Sequence, residues 1–287
     1  MQTSEQAEAQ LYVVATPIGN LRDITLRAVD VLKSVSLIAA EDTRVTATLL
    51  RTYGVSAPMM SLHRHNERQA SEKIIASLSE GKSVALVSDA GTPAVSDPGA
   101  ILVKAVREAG FTVVPIPGAN AAIAALSVAG LPEGGFLFYG FLPPRPVARR
   151  AAIEALKQSP FSLVFYEAPH RIIELTEDLH TVLGEDREIT FAREITKRFE
   201  SIYTCPLATA LEWLQADTDR QRGEFVVILS GGKPEEVDES QESKRVLEIL
   251  LDALPVSQAA SLTAKITGAR KNELYDLALK MRNENES

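Results

Sequence analysis

Short, nearly continuous apolar runs alternate along this chain with stretches whose apolar residues recur every three or four positions. L-Y-V-V-A-T, from Leu11, precedes I-T-L-R-A-V-D-V-L-K, and S-L-I-A-A-E-D precedes T-A-T-L-L-R-T-Y, which ends at Gly54. S-V-A-L-V-S-D and T-V-V-P-I-P each follow a further helical stretch. A strand that is apolar at every position has both faces buried, and the alternating helices supply the covering layers. The pattern predicts an α/β fold with a largely parallel sheet covered on both sides.

The text changes after A-N-A-A-I-A-A-L-S-V-A-G, where L-P-E-G-G reads as a turn and linker. Four more strand-like runs follow: F-L-F-Y-G-F-L, F-S-L-V-F-Y-E, E-I-T-F-A-R-E and E-F-V-V-I-L-S-G-G. We therefore expect a disordered tail over 1–10, one α/β domain over 11–130, a second over 131–232, a polar linker over 233–243 and a helical extension over 244–287. In that extension T-G-A-R-K joins two helical patterns. Its spacing fits a helix-turn-helix and equally a plain helical cap on the second domain.

The bulk numbers narrow the function classes. The chain has 287 residues, 45% of them hydrophobic, enough for a sizeable core. Its single cysteine, Cys205, rules out a disulfide framework and a cysteine-rich zinc site, and fits a cytoplasmic protein. The apolar runs are too short to cross a bilayer, and the polar N-terminus does not read as a signal peptide. A formal net charge of -8 argues against a protein that coats nucleic acid nonspecifically, while leaving room for a local basic site. Basic clusters stand at Arg145, Arg149 and Arg150, at Arg193, Lys197 and Arg198, and at Lys265, Arg270 and Lys271. Each by itself reads as solvated surface charge.

The most telling segment is S-D-A-G-T-P-A-V-S-D-P-G, from Ser88 to Gly99, directly after the buried-strand pattern V-A-L-V. Ligands of open α/β sheets bind outside the carboxyl ends of the strands. Glycines there admit close backbone approach, and prolines lower the entropy cost of a fixed loop shape. Asp97, before Pro98, is placed to cap the next helix. A rigid structural turn would use the same residue types. Similar loops, however, end three other strands: A-T-P-I-G-N-L-R-D, A-A-E-D-T-R and P-I-P-G-A-N. One shared pocket at one sheet edge accounts for all of them.

Several familiar signatures fail. E-G-K-S lacks the earlier glycine of a phosphate loop, since Ala76 stands there. No G-x-G-x-x-G follows a strand, and there is no G-x-S-x-G. His63 and His65 have no further clustered ligands, so no metal is expected.

Taken in order, T-P-I-G-N-L-x-D, A-E-D-T-R, H-x-H-N-E, S-D-A-G-T-P-x-x-S-D-P-G and P-x-P-G-x-x-A-A resemble the tetrapyrrole methylase superfamily. Its members are class III, S-adenosylmethionine-dependent methyltransferases with two α/β domains and the cofactor in the cleft between them. Within it the resemblance is to the branch that 2′-O-methylates a cytidine in the decoding region of 16S rRNA. S-L-T-A-K-I-T-G-A-R-K-N-E-L-Y is similar to that branch's C-terminal extension. The resemblance implies 16S rRNA within the 30S subunit as partner and a homodimer. The alternatives are a precorrin-type C-methyltransferase acting on a small tetrapyrrole, and a catalytically silent RNA-binding assembly factor.

The resemblance also assigns roles. Pro17 would lie by the cofactor, Ser88, Asp89, Ala90 and Gly91 at its methionine end, and Val95 and Ser96 beside them. Asn120 and Ala121 would sit where relatives carry a small or hydroxyl residue. Tyr166 and Glu167, Ala192 and Arg193, and Glu224, Phe225 and Val226 would line the adenosine side. A ribose hydroxyl is a poor nucleophile until deprotonated, so a general base is required. The candidates are Asp23, Glu41, Asp42, His65 and Glu67. Position at the end of a strand favours Glu41 or Asp42, although Asp42 would equally cap the following helix. For RNA phosphates the candidates are Arg22, Arg44 and Arg64, then Arg145, Arg149 and Arg150, then Lys265, Arg270 and Lys271.

Overall fold

The computed structural model describes residues 9–131, 134–232 and 239–285, with the side chains of 239–242 and 282–285 left aside. The chain divides into two compact units, Met1–Glu154 with Phe161–Ser230, and Ala155–Pro160 with Gly231–Ser287.

The first unit contains two sheets. In chain order the first half runs β1 (Gln10–Val14), α1 (Leu26–Ser34), β2 (Leu37–Ala40), α2 (Thr43–Thr52), β3 (Met59–Ser61), α3 (Glu67–Ser79), β4 (Val84–Val87), α4 (Ala100–Glu108), β5 (Thr112–Ile116) and α5 (Ala121–Val128). The strands order as β3-β2-β4-β1-β5 and every pairing is parallel. The run V-A-L-V divides its side chains between two cores, as a doubly covered strand must. Val84 and Leu86 pack with Ile74 and Leu78 of α3 and Leu102 and Val106 of α4. Ala85 and Val87 pack with Leu32 of α1 and Leu50 of α2.

The second sheet is built from β6 (Phe136–Phe141), β7 (Ser162–Glu167), β8 (Glu188–Arg193), β9 (Ser201–Pro206) and β10 (Phe225–Leu229). Its order is β6-β7-β10-β8-β9, parallel only between β6 and β7. Helices α6 (Pro146–Leu156), α7 (Ile172–Leu183) and α8 (Leu207–Gln215) connect these strands. The alanine-rich α5 crosses to this sheet. Ala122, Ala125 and Ala129 lie against Val164, Ala192, Val226 and Ile228. Small side chains on one helix face allow that close approach.

The second unit holds α9 (Glu239–Leu251), α10 (Val256–Thr267) and α11 (Lys271–Asn285) around Leu247, Ala259, Ala260, Leu274 and Ala278. Gly268 ends α10 at φ 78, the left-handed cap that glycine adopts without strain, and leads directly into α11.

Some boundaries differ from those expected. Ala9 is buried and Gln10 opens β1, because both pack with the first sheet. Residues 239–243, expected in a linker, open α9. The expected tail over 1–8, the turn at Pro132 and the linker segment 233–238 lie outside the described residues.

Candidate active site at the strand carboxyl ends

Because β1, β2, β4 and β5 run parallel, the four loops that follow them leave from one edge of the sheet. Hydrogen bonds join them there. Thr16 and Gly91 exchange both backbone bonds, at 2.8 and 3.0 Å, in an isolated bridge. Thr16 Oγ1 also donates to the Ser88 carbonyl at 3.2 Å. Thr92 Oγ1 donates to the Ala119 carbonyl at 3.1 Å, tying the β4 loop to the β5 loop. The Asp42 N–H donates to Asp89 Oδ1 at 3.0 Å, and Arg64 Nη2 to the Ser96 carbonyl at 2.8 Å. The loop backbone is unusual where it faces this network. Ala94 and Ser96, neither of them glycine, take φ 64 and 68. Such positions persist only where the surroundings hold them.

The loops after β1, β4 and β5 and the ends of β6, β7, β8 and β10 enclose a cavity of about 520 Å³, within the ordinary range for a small-molecule site. Ala90, Gly91, Val95, Ser96, Asn120 and Ala121 line it from the first sheet's loops. Tyr166, Glu167, Ala192, Glu224, Phe225 and Val226 line it from the second sheet. Pro17, Ser88, Asp89 and Arg193 do not. Pro17 is buried, and its neighbour Ile18 reaches the cavity instead. Ser88 is buried behind the loop, donating to the carbonyls of Ala90 and Gly91. Asp89 receives the Asp42 N–H. Arg193 turns outward, where its Nε donates to Ser201 Oγ at 3.0 Å and its Nη1 to the Asp219 carbonyl at 3.0 Å. Asn120 lines the cavity and also caps α5, its Oδ1 accepting the Ile123 N–H at 3.2 Å.

The base candidates change most. None of Asp23, Glu41, Asp42, His65 and Glu67 is among the lining residues. Glu67 is buried and committed: its Oε1 accepts the N–H groups of Gly99, Ile101 and Leu102 at the start of α4. Asp42 caps α2 through the Arg44 N–H and binds the Arg44 side chain, which holds its carboxyl near 2. Asp23 and His65 are exposed.

The carboxylate that does line the cavity is Asp97. It was expected to cap α4, but Glu67 fills that place and Gly99 at the cap makes no side-chain bond. Burial, with the nearby charge of Glu41, pushes Asp97 up to about 6, against a hydrogen bond from Ser88 and the charge of Arg64. Glu41 is also raised, by burial and by Asp89. Glu167 is raised by burial, offset in part by the Ala168 N–H and by Arg171. Its Oε1 accepts that N–H at 2.8 Å, while its buried Oε2 forms an ion pair with Arg171 Nη2 at 3.3 Å. Burial raises the Tyr166 hydroxyl too, which accepts the Ala122 N–H at 3.3 Å.

Further lining residues lay outside the sequence reading: Thr92, Phe141, Ala168, Pro169, His170, Ile195 and Lys197. Lys197, expected as a solvated charge, bridges Glu194 at 2.9 Å and Glu224 at 2.8 Å. Its signal was its place four residues past F-A-R, just beyond the end of a strand that reaches the pocket.

Of the basic residues, Arg22, Arg44, Arg64, Arg145 and Arg150 are exposed, as are Lys265, Arg270 and Lys271 of the helical unit. Arg149 is not. It is 1% exposed, with its Nε 2.6 Å from Asp178 and its Nη2 3.2 Å from Glu174 on α7. A guanidinium held this way cannot reach a phosphate, so Arg149 is withdrawn from the RNA-contacting set.

Comparison with known proteins agrees with this architecture. The tetrapyrrole (corrin/porphyrin) methylase family matches residues 10–211, and the RsmI C-terminal HTH domain matches residues 237–282. The ribosomal RNA small subunit methyltransferase I of Escherichia coli O157:H7 is 49% identical over 97% of each chain. Those of Pseudomonas aeruginosa and Neisseria meningitidis serogroup B are 49% and 50% identical, over 94% and 95% of this chain and 96% and 94% of theirs. Among solved structures, a cobalt precorrin-4 methyltransferase superposes with a TM-score of 0.60 at 16% identity, covering 80% of this chain and 98% of its own. The Thermus thermophilus uroporphyrin-III-C-methyltransferase gives 0.56 at 19%, covering 77% and 94%. At those identities the structures bear on the fold alone.

Proposed function

This chain belongs to the tetrapyrrole methylase family and, within it, groups with ribosomal RNA small subunit methyltransferase I; from that premise we propose that it transfers a methyl group from S-adenosylmethionine to the 2′-hydroxyl of a cytidine in 16S rRNA. The observation that carries the reading is the cavity itself, walled by rigid glycine- and proline-bearing loops on one side and by a second sheet on the other. Near full-length similarity to small-subunit rRNA methyltransferases supports the choice of acceptor.

The residues present fit the methyl donor. Small side chains at Ala90, Gly91, Ala121 and Ala192 leave room for a flat, folded ligand. Glu167 adds a carboxylate to the lining, its Oε2 held 3.3 Å from Arg171 Nη2. Bound S-adenosylmethionine would supply an electrophilic methyl on a cationic sulfonium. Asp97 would stabilise positive charge in the cavity and accept the proton from the ribose hydroxyl, for which a carboxylate near 6 is well matched. The tied loops would hold the reacting groups in line without a metal or a covalent intermediate. We place Glu41 behind Asp97, where its charge raises the basicity of its neighbour.

Exposed Arg22, Arg44, Arg64, Arg145 and Arg150, with Lys265, Arg270 and Lys271 of the helical unit, are proposed as phosphate contacts. A cytoplasmic homodimer completes the proposal, and no described helix is long and apolar enough to cross a membrane. The test is labelled S-adenosylmethionine offered with assembled small subunits, naked 16S rRNA or a uroporphyrinogen. Label on a ribose of the rRNA is the expected result. Label on the tetrapyrrole, or no transfer with full cofactor binding, would replace this reading with a pigment methylase or a silent assembly factor.

A further inference from the structure

We infer that Phe141 is the platform on which the nucleobase of the methyl-accepting nucleotide stacks, a positioning residue for the transfer; the inference rests on the reading of the cavity as an RNA-methylating site.

The case begins with strand parity. Successive side chains of a β-strand point to opposite faces, so residues three apart, such as Phe138 and Phe141, should diverge. They do not. Both rings meet Tyr166, Phe138 at 4.9 Å and Phe141 at 5.6 Å between centroids. The register of β6 on β7 breaks between them: Phe138 pairs with Val164, and Gly140 with the next residue, Phe165. Tyr139 is the extra residue, its ring tilted against Phe165. A bulge of this kind re-aims the side chain that follows it.

The bulge is built for that purpose. Gly140 sits at φ 81, and a Cβ there would come within 2.7 Å of Ser96 Oγ. A larger residue would be strained at that φ and would displace Ser96 Oγ, so the strand is keyed to the loop that carries Asp97. The result is an aromatic ring that lines the cavity yet stays 52% exposed. Its contact with Tyr166 is T-shaped, at 64°. Among the described residues no aromatic ring stacks on it. Carrying an exposed phenylalanine on a strained, bulged edge strand has a cost with no return within the free protein.

The occupant is set by the surroundings. Exposed Arg145 and Arg150 follow closely in the chain, and suit phosphates flanking an extruded nucleotide. A base taken out of its stack needs a replacement surface, and aromatic side chains supply it. Tyr166, by contrast, already spends its hydroxyl on Ala122 and both ring neighbours on Phe138 and Phe141.

The test is a cycle between the ring and the base. Wild type, Phe141→Leu and Phe141→Trp are compared in single-turnover methyl transfer to reconstituted small subunits. The subunits carry either the natural cytidine or an abasic ribose at the acceptor position. Binding of S-adenosylmethionine is measured in parallel by calorimetry. Phe141→Leu should slow transfer to the cytidine roughly tenfold or more and leave transfer to the abasic ribose within about twofold of wild type. Phe141→Trp should retain wild-type rates, and cofactor affinity should not move. Equal losses on both acceptors would overturn the inference, as would weakened cofactor binding by Phe141→Leu, which would assign the ring to the adenine instead. Failure of wild type to methylate the natural subunit is a separate result, against the functional reading itself.

Discussion

The carboxylate of Glu67 accepts the Gly99 N–H at 2.9 Å, across 32 residues of chain, and so caps a helix that carries no capping side chain of its own. The same Oε1 takes the N–H groups of Ile101 at 2.8 Å and Leu102 at 3.2 Å. The consequence is functional: Asp97, two residues before the cap, is released to face the cavity.

Glu67 is therefore structural, and its two simplest variants should separate. Glu67→Ala strands buried donors and should cost about 2–4 kcal/mol in urea unfolding. Glu67→Gln keeps an acceptor and should cost about 1 kcal/mol. Well below its unfolding midpoint, the Gln variant should transfer methyl groups within about threefold of wild type. A folded Glu67→Gln protein without activity would return Glu67 to the list of bases.

Asp97 should show itself in pH dependence. With the free enzyme's carboxyl near 6, kcat/KM should rise through that pH and then level off. Cationic ligand in the cavity favours the ionised form, so the limb in kcat should lie lower. Asp97→Asn should lower kcat by about 10²–10⁴ and abolish the limb, while cofactor binding persists.

The same group predicts a stability change of definite sign. Its folded value, about 6, lies above the ordinary 3.8. Below 3.8 both states hold the proton and ionisation adds no cost; as pH rises through 6 the folded state must bury a charge that the unfolded state leaves in water. Wild type should lose stability across that window, and Asp97→Asn should not. The difference at pH 8 should be on the order of 1–3 kcal/mol in favour of Asn and vanish at pH 3.

Arg149 and Arg145, four residues apart, should fail in different ways. Removing the buried Arg149 leaves Asp178 without its 2.6 Å partner and should cost about 3–5 kcal/mol. The slope of subunit affinity against salt should not change. Arg145→Ala should leave stability within about 0.5 kcal/mol and reduce that slope by about one unit.

The contrast between these residues marks what a linear reading reaches. The parallel sheet was legible because V-A-L-V has no polar face, and the pocket edge because three of the four parallel strands end in proline-stiffened loops. Most of the second-sheet lining was legible through F-Y-E-A and G-E-F-V-V. Glu67 was misread because its partners are brought near only by the fold, and Asp97 because S-D-P-G before a helix is an ordinary capping pattern. Arg149 and Arg150 both reach Asp178 on α7, at 2.6 and 3.4 Å, and packing decides that only Arg149 is buried there. Phe141 was hidden by the bulge at Gly140, which shifts the parity that any strand pattern assumes. Helix α5 was placed with the first domain because chain order does not reveal that its alanine face is cut for the second sheet.

The central claim is that the tied loops and the second sheet together hold the methyl donor. Calorimetric titration of the protein with S-adenosylmethionine tests it most directly, alongside an Ala192→Trp variant that fills the cavity from the second sheet. Saturable binding at one site per chain, lost in the variant while its fold persists by circular dichroism, is the result expected. No heat of binding to the wild type, or undiminished binding to Ala192→Trp, would contradict the account.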